Sequence, residues 1–272
     1  MPEPLYLATA VEIVLRAGDL QRAGQESGFR VDKKGSIDLV TEVDLACERM
    51  CRETLAERFP EHDILAEELG GSPKGPAASR FRWVFDPLDG TTNYAHGLPI
   101  YCSSLALEID GRAEVAAIYD PTRKELFTAE RGEGSYLNGQ ALRVSQTATL
   151  IDSLLVTGFP YNVHEESGDL VALFGRFLGR ARAVRRLGSA ALDLGYVAAG
   201  RFEAFWEQHL KPWDVAAGAL IVEEAGGLVT GMDGAPFDAG AAHLIASNGH
   251  VHREVVDTID AFRRERAQKQ TS

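Results

Sequence analysis

The chain has 272 residues, enough for one large domain or two closely packed halves. Apolar residues make up 45% and charged residues 25%, as in an ordinary globular protein, and no apolar stretch is long enough to span a bilayer. The net charge of −12 argues against partners that need a basic face, so we expect neither direct nucleic-acid binding nor membrane association. The first residues lack the basic region and apolar core of a secretory signal, so a cytoplasmic location is expected.

The first third of the sequence predicts two helices followed by two short strands. Apolar spacing predicts helices from Leu5 to about Ser27 and from Thr41 to Phe59, and residues 29–36 between them form a polar, charged segment expected to be flexible. Short apolar runs at 64–66 and 81–85 predict strands, and each run ends directly in acidic residues. The Gly- and Pro-rich residues between these strands predict a loop.

From Tyr101 to Val144 apolar and polar residues alternate, which predicts an antiparallel sheet. Its hairpin turns are expected at Asp110-Gly111, Asp120-Pro121 and Asn138-Gly139. The remainder alternates short strands with helices. Its predicted elements are strands at 153–159, 201–206 and 243–247, helices at 169–178, 189–199 and 215–225, and a charged C-terminal helix.

These elements predict a mixed α/β protein with layers of helix and sheet. The expected division is an N-terminal half, residues 1–147, which carries the antiparallel sheet and acidic clusters, and a C-terminal half, residues 148–272, which completes the site.

Acidic residues follow short apolar strands or begin a helix in three places, at Glu67-Glu68, at Asp86 with Asp89, and at Asp214. Carboxylates at strand ends converge easily at one edge of a sheet, and such a cluster is costly to bury unless cations occupy it. No histidine or cysteine lies within the clusters, so a hard divalent cation with oxygen ligands is expected.

Residues Asp86 to Asn93 form the most informative segment. Pro87 restricts the backbone so that both acids and the Leu88 carbonyl can face one cavity, and Gly90 permits a tight turn. Thr91 and Thr92 are expected to open a helical turn whose free N–H groups suit a phosphate. The segment therefore indicates metal ligands, an oxyanion cradle and a hydroxyl in one place.

The same segment, Asp-Pro-Leu-Asp-Gly-Thr-Thr-Asn, resembles the signature of the inositol monophosphatase family. Ala66-Glu67-Glu68 resembles the paired-glutamate motif of that family, and the Asp38-Leu39-Val40-Thr41-x-x-Asp44 string also fits. Downstream, residues 211–218 (Lys-Pro-Trp-Asp-Val-Ala-Ala-Gly) are similar to its second signature and are followed by Glu-Glu-Ala-Gly-Gly at 223–227. The resemblance runs in order from about Lys33 to Asn248.

The resemblance implies an α-β-α-β-α sandwich, a homodimer, inhibition by lithium, and two or three Mg²⁺ ions. The first ion is implied to bind Glu67, Asp86 and the Leu88 carbonyl. The second is implied to bind Asp86, Asp89 and Asp214, with Glu67 assisting a weaker third.

The implied catalytic residues are Thr91, polarised by Asp44, together with Glu67; they orient and deprotonate a water held on the metals, which attacks phosphorus in line. The implied substrate contacts are the backbone of Gly90 and Thr91, the Gly188-Ser189-Ala190 segment, and Glu207 as acceptor for substrate hydroxyls. Lys33 resembles the lid lysine of the family.

The expected substrate is a small phosphate monoester. The Glu207 position and the Lys-Pro-Trp-Asp form at 211–214 are most similar to inositol monophosphatases, while histidinol phosphate and fructose 1,6-bisphosphate remain alternatives within the superfamily. A different class also stays open, namely a regulator that uses the fold to dock on a transcription or translation complex.

Several further residues are interpreted as structural or solvated. Cys47 and Cys51, four apart on a helix, are interpreted as buried reduced thiols rather than as a metal or redox pair. His250 and His252 are interpreted as solvated surface histidines. The arginines at 176, 180, 182, 185 and 186 are interpreted as a solvated helix face.

Overall fold

The computed structural model describes residues 4–34, 38–71, 79–160, 163–241 and 243–270. The helices are α1 (Pro4–Ser27), α2 (Glu42–Arg58), α3 (Thr91–Ala95), α4 (Val163–Leu178), α5 (Ala190–Ala198), α6 (Pro212–Glu224) and α7 (His252–Gln270), with a 3₁₀ turn at Leu150–Asp152. The strands are β1 (Val31–Lys33), β2 (Leu39–Thr41), β3 (Asp63–Ala66), β4 (Gly70–Gly71), β5 (Phe81–Asp89), β6 (Cys102–Ile109), β7 (Arg112–Asp120), β8 (Glu125–Glu130), β9 (Gly134–Leu137), β10 (Gln140–Ala141), β11 (Leu154–Thr157), β12 (Ala183–Arg185), β13 (Ala204–Gln208), β14 (Leu228–Thr230) and β15 (His243–Ser247).

Two sheets separate three layers of helix. The large sheet has the order β10-β9-β8-β7-β6-β5-β3-β4, and the small sheet has the order β12-β11-β13-β15-β14. Helices α1 and α2 pack on the outer face of the large sheet, α5 and α6 lie between the sheets, and α4 and α7 cover the small sheet. The predicted α-β-α-β-α sandwich is confirmed.

The apolar periodicity of each element explains this layering. Ile13, Val14 and Ala17 of α1 are fully buried against the large sheet, whereas α5 and α6 are buried almost all round because they have a sheet on both sides. Small residues on α6, such as Ala216 and Ala217, let it pack closely between the sheets. The buried middle layer therefore has little freedom to move, which suits it to hold a site.

The hairpin turns lie where the sequence predicts them. Asp110 and Gly111, and likewise Asn138 and Gly139, take successive positive φ values of 53° and 82°, and of 50° and 78°. Such pairs match the right-handed twist of antiparallel strands, which is why Asp-Gly and Asn-Gly predict them.

Some short elements differ from the prediction. Strand β1 pairs with β2 in a hairpin, within a segment that the sequence indicated to be flexible. Strands β12 and β14, of three residues each, were not predicted, because each is too short to show a period. The division at 147/148 stays a prediction.

Two of the interpretations of polar residues were wrong. His252 is buried, and its ring nitrogens contact Ser247 Oγ at 2.8 Å and Thr230 Oγ1 at 2.9 Å, so it is a core residue and not a solvated one. The arginines do not share one helix face, since α4 ends at Leu178 and the chain turns back into β12.

The cysteine interpretation is confirmed, because Cys47, Cys51 and Cys102 are free and buried. Among the described helices, none combines the length and the apolarity required to cross a membrane.

Candidate active site

The acidic clusters meet because strands β3 and β5 run parallel side by side. Ala66 pairs with Phe85, so Glu67 and Asp86 follow at the same end of adjacent strands. The ladder between β5 and β6 is then interrupted between Asp86 and Asp89, which is the irregular stretch that Pro87 requires since it has no N–H to donate. Gln21 Nε2 donates to the Pro87 carbonyl at 2.8 Å and fixes this stretch from the helix side.

Gly90 turns the chain from β5 into α3. Its φ of 95° lies in the left-handed region, and an added Cβ would lie 2.8 Å from the Ile100 carbonyl oxygen and 3.3 Å from that of Gly188. Only glycine fits both constraints. The turn brings Thr91 back over the end of the strand, where its hydroxyl lies 3.0 Å from the Leu88 carbonyl oxygen.

Thr91 also contacts Asp44, its predicted partner, at 3.2 Å from Oγ1 to Oδ1. Asp44 is fixed by a capping box at the start of α2, in which its second oxygen accepts from the backbone N–H of Thr41 at 2.8 Å and from its hydroxyl. Burial raises the pKa of Asp44 to about 6, against the opposing effect of these hydrogen bonds. The carboxylate is therefore ionised at neutral pH and oriented toward Thr91.

Asp89 is anchored to the start of α5. Its Oδ2 accepts from the Ser189 hydroxyl and from the Ala191 N–H, both at 2.7 Å, and its Oδ1 accepts from the Ala190 N–H at 3.3 Å. The predicted Gly188-Ser189-Ala190 segment is thus held directly against the acid of the first signature. Asn93 strengthens this junction, because its amide donates to the Leu187 carbonyl at 2.8 Å.

Asp214 has the same kind of anchor at the start of α6. It is the third helical residue, and its Oδ2 accepts from the backbone N–H of Lys211, the N-cap residue, at 2.6 Å. Burial raises its pKa, and the nearby charges of Asp89 and Glu67 raise it further. The pKa of Asp86 is raised well above its usual range in the same way, first by burial and then by the charges of Glu67, Asp89 and Asp214.

Lys34 is the cation that contacts this cluster. Its ammonium lies 2.9 Å from Glu67 Oε1 and 2.5 Å from Glu68 Oε1. Burial raises the pKa of Glu68 to about 7 even though Lys34 opposes the shift. Lys33, the residue predicted as the lid lysine, is exposed in β1 instead.

The acidic side chains carry the donor chemistry for a hard cation. All the candidate ligands are carboxylate or carbonyl oxygens, and burial, reinforced by the neighbouring carboxylates, raises the pKa values of Asp86 and Asp214. Among the described residues, no three acidic, histidine or cysteine side chains already stand together as a complete metal site. Glu67 is paired with Lys34, and Asp89 and Asp214 accept backbone N–H groups, so the carboxylates must shift to share an ion.

A cavity of about 240 Å³ opens beside these acids. The predicted residues that line it are Asp89, Gly90, Gly188, Ser189, Ala190, Glu207 and Asp214. Burial raises the pKa of Glu207 to about 8, with Arg186 opposing and Asp89 reinforcing the shift. The cavity lining therefore combines the acids Asp89 and Asp214 with Glu207 and the exposed Arg186.

Sequence reasoning missed several residues of this region. Arg186 and Gly158 line the cavity, and Asp193 is buried beside it with one oxygen that has no hydrogen-bond partner. Arg186 was hidden in a run of arginines. Gly158 carried a detectable signal, since a glycine directly after an apolar strand often marks a close approach to another group.

The sequence matches the inositol monophosphatase family over residues 4–264. The chain belongs to the inositol monophosphatase family. One relative, Nus factor SuhB of Pseudomonas aeruginosa, is 44% identical over 231 residues, 84% of this chain and 85% of the relative. Another, inositol-1-monophosphatase of Synechocystis, is 41% identical over 257 residues, 94% of this chain and 89% of the relative. A crystal structure of an inositol monophosphatase/NADP phosphatase with Mg²⁺ and phosphate superposes with a TM-score of 0.78 at 29% identity, covering 90% of this chain and 91% of that one.

Proposed function

We propose that this inositol monophosphatase family member is a Mg²⁺-dependent phosphatase that hydrolyses a small phosphate monoester, with inositol monophosphate as the substrate. The observation that carries the proposal is that Asp86 lies close enough to Glu67, Asp89 and Asp214 to interact with their charges, that Asp89 and Asp214 line a cavity, and that Thr91 is hydrogen-bonded to Asp44 nearby. Such a cluster is expensive to maintain unless a cation uses it.

The residues that would hold Mg²⁺ are those carboxylates together with the Leu88 carbonyl, two or three ions being expected. When bound, Mg²⁺ neutralises charge on the phosphoryl group and the leaving oxygen and makes water more acidic. The carboxylates would otherwise repel an anionic ester, so the acidic net charge and the anionic substrate are compatible only with the cations present.

Thr91 has the geometry of a proton relay. Its hydroxyl carries one proton and two acceptor oxygens lie near it, so donation to Asp44 leaves the Thr91 oxygen free to accept from an attacking water. Asp44, ionised at neutral pH, then receives the proton through Thr91, and Glu67 helps to orient the water. Water attack in line with the leaving oxygen needs little more than this positioning.

Glu207 supports a polyol as the leaving group. Its carboxyl group lines the cavity and is suited to accept hydrogen bonds from ring hydroxyls. The name of the Synechocystis relative points to the same substrate. Histidinol phosphate and fructose 1,6-bisphosphate remain the alternative esters.

The test is a comparison of kcat/KM for the inositol, histidinol and fructose esters with Mg²⁺ and with chelator. Full hydrolysis of myo-inositol 1-phosphate in chelator would refute the metal-dependent reaction. Asp89→Asn is expected to lower kcat at least about 100-fold, because it removes a charge that holds the cations. Asp257→Asn, which changes a solvated acid paired with Arg253 on α7, is the matched control and should retain full activity.

We also propose a homodimeric state, inhibition by lithium and a cytoplasmic location.

The second candidate function is docking on a transcription or translation complex. The Pseudomonas aeruginosa relative is named as a Nus factor, and that name favours the idea at 44% identity. Affinity capture with wild type and with Asp89→Asn separates the two functions. Recovery of the same transcription proteins by both would show a role independent of hydrolysis, and recovery of none would remove this candidate.

A further inference from the structure

Arg186 is an exposed residue that lines the cavity without a counter-ion among the described residues. Among the described lining residues it is the one arginine or lysine, and no described carboxylate lies within ion-pair distance of it. Glu207 and Asp193 are close enough for its charge to lower their pKa values, but neither forms a salt bridge with it. The guanidinium is therefore available to a ligand in the cavity.

Two glycines make room for the side chains of Arg186 and Glu207 in the cavity lining. An added Cβ on Gly188 would lie 2.6 Å from Arg186 Nη1. The guanidinium therefore packs directly against Gly188, next to the residues that donate hydrogen bonds to Asp89. An added Cβ on Gly158 would overlap the Glu207 carboxylate. The Arg186 guanidinium and the Glu207 carboxyl group thus occupy space that a side chain at Gly188 or Gly158 would fill.

The charges define the kind of ligand that fits. A guanidinium with a free fork of donors suits a phosphate or carboxylate, which it can bind through two hydrogen bonds. Glu207 beside it suits a hydroxyl donor. A neutral polyol uses Glu207 alone and leaves Arg186 without a partner, whereas a polyol with an additional oxyanion uses both.

We propose that Arg186 is a specificity-determining residue that binds a second oxyanion of the substrate, while the scissile phosphate lies at the Asp89 and Asp214 end. The inference rests on the proposed function for the reaction, but the binding step stands on the cavity alone. Arg186 then adds affinity for polyol phosphates that carry a second oxyanion, beyond the binding that Glu207 gives to a neutral polyol ester such as inositol monophosphate.

Matched ester pairs test the proposal. Fructose 1,6-bisphosphate against fructose 1-phosphate differs by a second phosphate, and 2-phosphoglycerate against glycerol 2-phosphate differs by a carboxylate. We expect wild type to prefer the anionic member of at least one pair by about 10-fold to 100-fold in kcat/KM, mostly through KM. The pair that shows the preference identifies the oxyanion.

Arg186→Ala is expected to remove that preference and to leave the neutral member within about 3-fold, whereas Arg186→Lys should retain part of it. Arg185→Ala changes the neighbouring arginine in β12, which is exposed like Arg186 but does not line the cavity; this matched control should retain all of the preference.

Three results would overturn the proposal. The first is that wild type shows no preference for the anionic member of either pair, and the second is that Arg186→Ala keeps the preference unchanged. The third is that Arg186→Ala loses kcat/KM equally on both members and has an altered sedimentation coefficient, which would make Arg186 a contact between copies of the chain. If wild type hydrolyses no ester, the proposed function fails, and calorimetry decides the Arg186 inference separately. Fructose 1,6-bisphosphate must then bind at least about 10-fold more tightly than fructose 1-phosphate to wild type and equally to Arg186→Ala.

Discussion

Replacement of Gly90 by alanine tests whether the turn after β5 is what holds the site together. Gly90 has a φ of 95°, and an added Cβ would lie 2.8 Å from the Ile100 carbonyl oxygen. Gly97, at the end of α3, offers a matched control, since its φ of 69° is also positive but an added Cβ would meet nothing within 4 Å. The pair separates backbone strain from steric contact.

The two substitutions share one cost and differ in the other. A side chain in the left-handed region costs about 1–2 kcal/mol, and both variants incur it. Gly90→Ala adds overpacking against backbone atoms of two separate segments, which cannot rotate away as a flexible side chain can, at about 1–3 kcal/mol. We therefore expect the free energy of unfolding to fall by about 1–2 kcal/mol in Gly97→Ala and by about 2–5 kcal/mol in Gly90→Ala.

Urea unfolding measured by circular dichroism gives the stability difference, and kcat/KM on the best ester gives the functional one. Gly90→Ala should lose activity even under conditions where it is fully folded, because the shift moves Thr91 and the Asp89 junction. Gly97→Ala should keep it. Equal destabilisation of the two variants, or a folded and fully active Gly90→Ala, would refute the reasoning that close backbone contact fixes this turn.

Three further predictions concern single groups. Thr91→Val is expected to lower kcat about 100-fold or more, since it removes the hydroxyl that contacts Asp44, and Thr91→Ser to keep kcat within about 10-fold; equal values for the two would exclude the relay. Gly158→Ala is expected to raise KM about 10-fold but to change the unfolding free energy by less than about 1 kcal/mol, because the displaced atoms are the end of the flexible Glu207 side chain; a large loss of stability with unchanged KM contradicts this. Burial lowers the pKa of His252, so below about pH 6.5 the unfolded chain binds a proton that the folded chain does not, and stability is lost as the pH falls. Urea titrations from pH 7 to pH 5 should show a shallower loss in His252→Gln than in wild type, and identical slopes would contradict the assignment.

The layered fold and the acidic end of the site were predictable because they depend on local patterns. Asp-Gly and Asn-Gly turns fix the hairpins through their own φ values, and apolar runs that end in acids place carboxylates at a sheet edge. Glu67 and Asp86 meet because β3 and β5 are parallel neighbours, a relation that the two strand patterns permitted but did not require. The family resemblance supplied that last step.

The parts that escaped prediction depend on contacts between distant segments. Arg186 belongs to the cavity because the chain reverses after α4, and a run of arginines gives no sign of which one lines a cavity. His252 is buried because β14 and β15 bring Thr230 and Ser247 to either side of its ring. Lys34, the first residue after β1, reaches the acids, whereas Lys33 at the end of the strand is exposed, and the sequence pattern does not distinguish two adjacent lysines.

The acids of the site also serve as helix caps, and this double use explains how the fold tolerates them. Asp89 accepts two backbone N–H groups at the start of α5, and Asp214 accepts one at the start of α6, so each carboxylate satisfies donors that would otherwise lack partners. The positive ends of two helices thereby point toward the site and offset part of the repulsion among the acids. Asparagine can still accept one such bond at either position while removing the charge. We therefore expect Asp89→Asn to lose activity and to remain folded. That result would show that activity depends on the negative charge of Asp89, whereas the hydrogen bonds that shape the turn do not need the charge.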